Sequence, residues 1–195
     1  MPSTVEHVTE RDLLNMPNDG KRRWLIGDTL KVWDTQEFPD CGMTVRNRFH
    51  SQVMMAIGCD LEIWRRTQPE PRGVVIGGEA GVRLPGDPPV TVGVDVAYVS
   101  PDVMIHQSEK TTLVEGVPTL IVEILSPNDT VENLDETVDI YTKAGVPMFW
   151  FVNPHDRTVK VYRQGEEPIL VNVKQELSGD PLLPGFRVPV SRLFE

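Results

Sequence analysis

Two acidic residues lie inside strongly apolar segments of the chain: Asp95 in VDVAYV and Glu123 in LIVEIL. A charged carboxylate in such a segment loses its hydration on folding, at a cost of several kcal/mol unless a cation, a metal or a raised pKa compensates. If two strands brought these acids together, their oxygens would suit Mg²⁺ or Mn²⁺. Such a metal can activate water and stabilise charge on a phosphoryl group. The alternative is that each acid faces solvent at a strand end or pairs with an arginine.

The elements that must position these acids can be predicted from periodicity and turn residues. A short helix is expected from Thr9, a β-hairpin over 22–34 turning at Gly27 and Asp28, and helices over 45–66 and 131–144. In the first long helix the apolar residues at helical spacing are Phe49, Val53, Ile57, Leu61 and Trp64. Strands are predicted at 73–78, 79–84, 90–100, 118–126, 148–153 and 158–165. The closing segment, 177–195, contains several prolines and glycines, and we expect it to pack along the surface.

Composition restricts the class of protein. The chain has 195 residues, 39% apolar and 25% charged, which predicts one soluble domain over 1–195. The sequence shows neither a secretory signal nor a membrane-spanning run, so a cytoplasmic location is expected. Cys41 and Cys59 have neither a disulfide-framework nor a zinc-site spacing.

The net charge of −10 bears on partners, because non-specific nucleic-acid binding requires cations that neutralise phosphates. DNA binding would therefore depend on local clusters. The candidates are Lys21 to Arg23, Arg46 with Arg48, and Arg65 with Arg66, each of which could equally be a solvated surface patch.

Several motifs together resemble a known family. They are the hairpin RRWLIGDTL, the helix start FHSQ at 49–52, VDVAYVS around Asp95, and PTLIVEILSP at 118–127, followed by AGVPMFWFVNP and LPGFRVPVSRLF. In order and spacing the chain is similar to the Uma-type restriction-endonuclease family, a bacterial family within the PD-(D/E)-x-K nuclease superfamily. The run PTLIVEILSP is the most specific of these matches.

The resemblance implies an α/β (α+β) fold: a restriction-endonuclease-like central mixed sheet flanked by helices, with an N-terminal β-hairpin. It also implies that Asp95 and Glu123 bind Mg²⁺ or Mn²⁺ and that a metal-bound water attacks a phosphodiester, with DNA as the candidate substrate. Glu79 could be a further acid near the site, or a turn residue. His50 could reach the site, or its ring could bond to backbone or pack against the sheet. A homodimer is expected, with the hairpin or the C-terminal segment as its interface.

The chain departs from the family at the lysine. The superfamily position two residues after the glutamate is Leu125, and the family's helix position is Thr137. Asn133 stands where an aspartate is expected, and Trp24 replaces a hairpin glutamate. Lys143 lies six residues along the helix from Thr137, roughly 240° around it, and is a poor substitute.

Two hypotheses follow: a metal-dependent nuclease impaired by the missing lysine, or a degenerate nuclease scaffold that acts as a binding or oligomerisation module. A small-molecule enzyme on an unrelated fold finds no supporting motif in the sequence.

Overall fold

The computed structural model describes residues 7–16, 22–33, 48–108, 112–126 and 129–195. Cys41, Lys21 and Arg46 lie outside this part of the chain. The helices are α1 (Glu10–Leu14), α2 (Arg48–Thr67), α3 (Pro101–Met104) and α4 (Val131–Lys143), with a closing 3₁₀ helix, Val190–Phe194. The strands are β1 (Arg22–Ile26), β2 (Thr29–Trp33), β3 (Val74–Leu84), β4 (Val90–Val99), β5 (Val114–Glu115), β6 (Leu120–Ile124), β7 (Met148–Asn153), β8 (Thr158–Arg163), β9 (Ile169–Asn172), β10 (Glu176–Ser178) and β11 (Arg187–Pro189).

Nine of these strands form one mixed sheet within the described residues. Its order is β2-β1-β4-β6-β7-β8-β9, with β3 on the other edge of β4 and β5 beside β3. Strands β6 and β7 are parallel, and α4 makes the crossover between them. The predicted fold class, a central mixed sheet flanked by helices with an N-terminal hairpin, is confirmed. No helix in the described ranges has the length and hydropathy to cross a bilayer.

Helix α2 covers one face of the sheet. Val53, Ile57, Leu61 and Trp64 are buried in the larger apolar cluster, as their spacing predicts. Phe49, predicted to join them, is 53% exposed. At the first turn of α2 this ring borders a cavity instead of the sheet. The opposite face carries α4 and the smaller cluster, in which Trp24, Tyr141 and Phe149 are buried.

The C-terminal segment was expected to run along the surface, and this prediction is wrong. Its apolar residues enter the same cluster as α2: Leu177, Leu183, Phe186, Val188, Val190 and Leu193 are all buried. The Trp64 indole donates a hydrogen bond to the Pro184 carbonyl at 2.9 Å, which joins α2 to this segment. The prolines and glycines mark turns between buried residues instead of an exposed tail.

Residues 73–78 and 79–84, predicted as two strands, form the single strand β3 with a bulge between Gly77 and Ala80. Gly78 and Glu79 adopt positive φ angles of 79° and 62° there. Strand β4 continues past the bulge, so two residues of β3 lie opposite one of β4. The single domain predicted for 1–195 stays a prediction.

Candidate active site

The edge of β4 that does not pair with β3 is shared by β1 and β6, and these two strands diverge. The first residues of β4 pair with β1, through Leu25↔Thr91 and Ile26↔Val90, whereas Val96–Tyr98 pair with β6. Within the described residues, 92–95 have no strand partner on this edge. We call this gap the fork. It leaves backbone donors of β6 available to side chains.

Asp95 lies in the fork and is 6% exposed. Its Oδ2 accepts a hydrogen bond from the backbone N–H of Ile124 at 2.8 Å, and its Oδ1 lies 3.1 Å from Nε2 of His50. The carboxylate therefore replaces a ladder hydrogen bond between β4 and β6. His50, from the first turn of α2, is also buried, so the contact is between two side chains withdrawn from water.

Glu123 is the neighbour of Asp95 across the fork. The last ladder pair is Val96↔Val122, so the next residues on the two antiparallel strands are Asp95 and Glu123. Glu123 is 3% exposed and accepts a hydrogen bond from the Tyr141 hydroxyl of α4. The Tyr141 ring is in turn held by Trp24, at a centroid distance of 6.0 Å, and by Phe149 at 5.4 Å. The two carboxylates are thus held by donors from opposite layers of the fold.

Glu79 is placed differently from the buried pair. It is exposed, and it occupies the bulge on the β3 edge of β4, the edge opposite to the fork. A Cβ added at Gly93 would meet Oε2 of Glu79 at 2.9 Å, so the Glu79 side chain lies over Gly93. Glu79 is therefore a bulge residue whose side chain reaches β4 two residues before Asp95.

The position of the expected lysine holds a neutral, engaged side chain. Thr137 is buried, and its hydroxyl donates to the Asn133 carbonyl at 2.9 Å. Leu125 borders the cavity beyond β6. Neither residue can supply a positive charge to the pair of acids.

Lys31 reaches α4 from the hairpin, a contact that was not predicted from the sequence. Its Nζ forms an ion pair with Glu136, the residue before Thr137. Lys31 lies directly across the hairpin from Trp24, and burial lowers the pKa of its amine. The turn at Gly27 and Asp28 fixes this register, so the Trp24–Lys31 pairing could have been read from the sequence.

Asp95 and Glu123 fit a hard divalent cation, because carboxylate oxygens are the ligands that Mg²⁺ and Mn²⁺ prefer. In the described ranges, no group of three or more His, Cys, Asp or Glu side chains comes together in a way that could hold a metal. The protein would therefore contribute the two carboxylates, and water or substrate would fill the remaining positions. Mg²⁺ sites commonly have this composition.

A cavity of about 750 Å³ opens where β6 and β7 end, and we call it the β6–β7 cavity. Its lining comes from the ends of both strands, from α4 and from the first turn of α2: Phe49, Leu125, Ser126, Asp129, Leu134, Asn153, Pro154 and His155. Phe49 precedes His50 in the chain, and Leu125 follows Ile124. The cavity is therefore one residue removed from both groups that hold Asp95.

A known structure has the same fold. A crystal structure of a protein from Anabaena variabilis, described as a putative nuclease belonging to DUF820, superposes with a TM-score of 0.73. The match covers 96% of this chain and 97% of that one, at 17% sequence identity. The comparison with curated proteins found no match. The family model described as "Uma2: Putative restriction endonuclease" matches residues 42–191. The chain therefore belongs to the Uma2 family.

Proposed function

We propose that this protein is a metal-dependent nuclease that hydrolyses phosphodiester bonds, with DNA as the foremost substrate. The observation that carries the proposal is the pair of buried carboxylates, Asp95 and Glu123, adjacent on two strands where the sheet forks. Membership of a family whose model is described as "Putative restriction endonuclease" supports it. So does the β6–β7 cavity, whose lining includes Phe49 and Leu125, the chain neighbours of the two groups that hold Asp95.

Asp95 and Glu123 would hold Mg²⁺ or Mn²⁺. Such an ion supplies an activated water and stabilises charge that develops on the phosphoryl group. The chain's own contribution is orientation. The Ile124 N–H and His50 fix the two oxygens of Asp95, and the Tyr141 hydroxyl fixes one oxygen of Glu123. Ligands held by such outer hydrogen bonds are preorganised before the metal arrives.

Catalysis in this chain would be slow. A lysine in such a site orients the attacking water and stabilises the charge of the transition state. Thr137 provides neither function, since its hydroxyl is engaged with the helix backbone. Lys31 brings a cation to the adjacent helix position, but it pairs there with Glu136.

A second candidate is a degenerate nuclease scaffold that binds or oligomerises without catalysis. The contacts of the two acids favour it, because Asp95 and Glu123 both receive hydrogen bonds from protein donors. Those bonds compensate burial in part even without a metal. The neutral side chain of Thr137 also favours the degenerate scaffold.

Calorimetric titration of Mn²⁺ tests the metal site directly. Wild type should bind, and Asp95→Asn and Glu123→Gln should each lose the binding, since each removes a ligand charge while keeping the shape of the side chain. Asp139→Asn on the exposed side of α4 serves as the control and should bind as wild type does. A folded wild type that binds no Mn²⁺ would contradict the nuclease proposal and favour the scaffold.

The variant Thr137→Lys then separates the two candidates. If only the lysine is missing, this variant should cleave plasmid and oligonucleotide DNA at least about tenfold faster than wild type in Mn²⁺. Thr137→Met, of similar length without the charge, is the matched control and should show no gain. A wild type that already cleaves as fast as Thr137→Lys would rule out the degenerate scaffold.

The homodimer and the cytoplasmic location stay predictions. The apolar residues of the C-terminal segment are buried in the core of the chain itself, so this segment is a poorer candidate for a dimer interface. The hairpin keeps an exposed apolar side chain, Val32, and is the better candidate surface for a dimer.

A further inference from the structure

The β6–β7 cavity has an aromatic side chain at its edge. Phe49 is 53% exposed although it belongs to a helix whose other apolar residues at the same spacing are buried. Leu125, Leu134 and Pro154 line the same space. A flat ring beside an apolar recess offers a face on which another flat ring can stack.

The cavity also contains a carboxylate with spare accepting capacity. Asp129 Oδ2 accepts a hydrogen bond from the Ser126 N–H at 2.7 Å. Among the described residues, no donor reaches Oδ1. A carboxylate accepts hydrogen bonds from amines and repels phosphates. An occupant of this recess should therefore carry an N–H group inward and keep any negative charge outside.

Cations lie around Phe49 outside the recess. The Arg48 guanidinium is 4.6 Å from the centroid of the Phe49 ring. A smaller adjoining cavity of about 200 Å³ shares Phe49 and Pro154 and is also lined by Arg157. The Arg157 guanidinium lies 5.8 Å from the Phe194 ring. Neither arginine lines the β6–β7 cavity itself, so positive charge lies near the exposed ring but outside the recess.

We infer that the β6–β7 cavity receives one unstacked nucleobase bearing an exocyclic amine, from a single strand of nucleic acid. Phe49 stacks on the base, Asp129 accepts from its amine, and Arg48 and Arg157 contact the flanking phosphates. The inference rests on the proposed function and names its substrate class. Because Phe49 and Leu125 are the chain neighbours of His50 and Ile124, which both contact Asp95, a base held there would lie at the end of the sheet that carries Asp95.

Single-stranded substrate also suits the charge of the chain. Because the chain has a net charge of −10, electrostatic binding of duplex phosphates over a broad surface is unfavourable. Stacking on an aromatic ring is available only to a base that has left its stack, and it contributes strongly for each base.

The test is equilibrium binding by fluorescence anisotropy in EDTA, where no cleavage occurs. The probes are fluorescein-labelled ten-nucleotide dC and dT strands and a blunt duplex of equal length. Cytosine carries an exocyclic amine where thymine carries a carbonyl, and thymine also has an N3–H and a methyl group; Asp129 would recognise the cytosine amine. We expect dC to bind more tightly than dT, and both to bind more tightly than the duplex.

Phe49→Ala should weaken binding of the dC strand by about tenfold. Met55→Ala is the matched control, because Met55 lies on the same helix with a similar exposure of 60% and faces a different groove. It should change binding less than about twofold. Asp129→Asn should reduce the preference for dC over dT.

Three results would overturn the inference: no binding of any strand, a duplex that binds as tightly as the single strands, or Phe49→Ala binding as wild type does. The Mn²⁺ titration distinguishes this failure from that of the proposed function. Metal binding at Asp95 and Glu123 without dependence on Phe49 removes the cavity inference alone. Phe49-dependent binding in a protein that takes up no metal removes the nuclease proposal and keeps the cavity as a nucleobase site.

Discussion

Strands β4 and β7 are both central and buried, but they are paired very differently. Strand β7 pairs with β6 over Phe149–Val152 and with β8 over Met148–Asn153, without irregularity. Strand β4 is interrupted on both edges near one residue, Asp95. The bulge of β3 lies on one side and the fork lies on the other.

The difference explains where a buried carboxylate can be tolerated. Along β7, both neighbouring ladders use the backbone donors, and its residues are apolar up to Asn153. A carboxylate there would find no partner and would cost several kcal/mol. At the fork the Ile124 N–H has no ladder acceptor on β4, and Asp95 takes that role. Irregular pairing therefore lowers the free-energy cost of burying Asp95. Regular pairing stabilises the rest of the sheet.

The largest effect should come from β7. Trp150 is fully buried and packs 5.9 Å from the Phe186 ring of the C-terminal segment. Trp150→Ala should lower the free energy of unfolding by about 3–5 kcal/mol, because it leaves a large cavity in the core. Urea denaturation measures this, with Trp150→Phe as the smaller-volume control. A loss under about 1 kcal/mol would show that β7 is not the stabilising strand of the pair.

A smaller effect on stability, but a larger one on function, is expected at the bulge. A Cβ on Gly77 would lie 2.9 Å from the Asp95 carbonyl oxygen, so Gly77→Ala must displace the β4 backbone at Asp95. We expect the free energy of unfolding to fall by about 1–3 kcal/mol, as it does at other overpacked sites. Mn²⁺ affinity should fall although no proposed ligand has changed.

Gly93→Ala is the control for the bulge variant. Its new Cβ meets the Glu79 carboxylate at 2.9 Å, and that flexible end can move aside. Stability and Mn²⁺ binding should stay close to those of wild type. If Gly77→Ala binds Mn²⁺ as well as Gly93→Ala does, the geometry of the bulge has no role in the proposed site.

The same contrast explains what could be predicted from the sequence. The hairpin, α2, α4, β7 and β8 follow from local periodicity and turn residues, and the structure has them close to the predicted bounds. Asp95 and Glu123 stood out because each acid interrupts an apolar run. That they would be adjacent was expected from the family resemblance, since two strands that are far apart in sequence must pair to bring them together.

What the sequence did not predict depends on long-range register. Gly77 and Gly78 resemble a turn between strands, and only pairing with the long strand β4 makes β3 continuous. Burial of the C-terminal segment depends on its packing against α2, as in the bond from Trp64 to Pro184. The contact of His50 with Asp95 spans 45 residues and has no periodic signature, so the sequence left it as one of two alternatives for His50. Local patterns carry no information on any of these contacts.

The smallest effect should come from a partly exposed ion pair on α2. Glu62, a half-buried residue of α2, accepts hydrogen bonds from Arg65 at 2.6 Å and Arg66 at 2.8 Å, which lower its pKa to about 2. Because the folded pKa is depressed, its stabilisation is present above the unfolded pKa and is lost as the pH falls from about 4.5 to about 2. The pair is partly solvated, so the loss should be under about 1 kcal/mol.

Glu62→Gln should therefore approach the unfolding free energy of wild type below about pH 2 and have a slightly lower one at pH 6. Urea denaturation of both proteins across this range measures the difference. A difference that does not change with pH would show that the ion pair contributes nothing to acid sensitivity. Acid unfolding of the wild type would then be due to other groups. The buried carboxylates of the fork, Asp95 and Glu123, would be the first residues to replace by mutation.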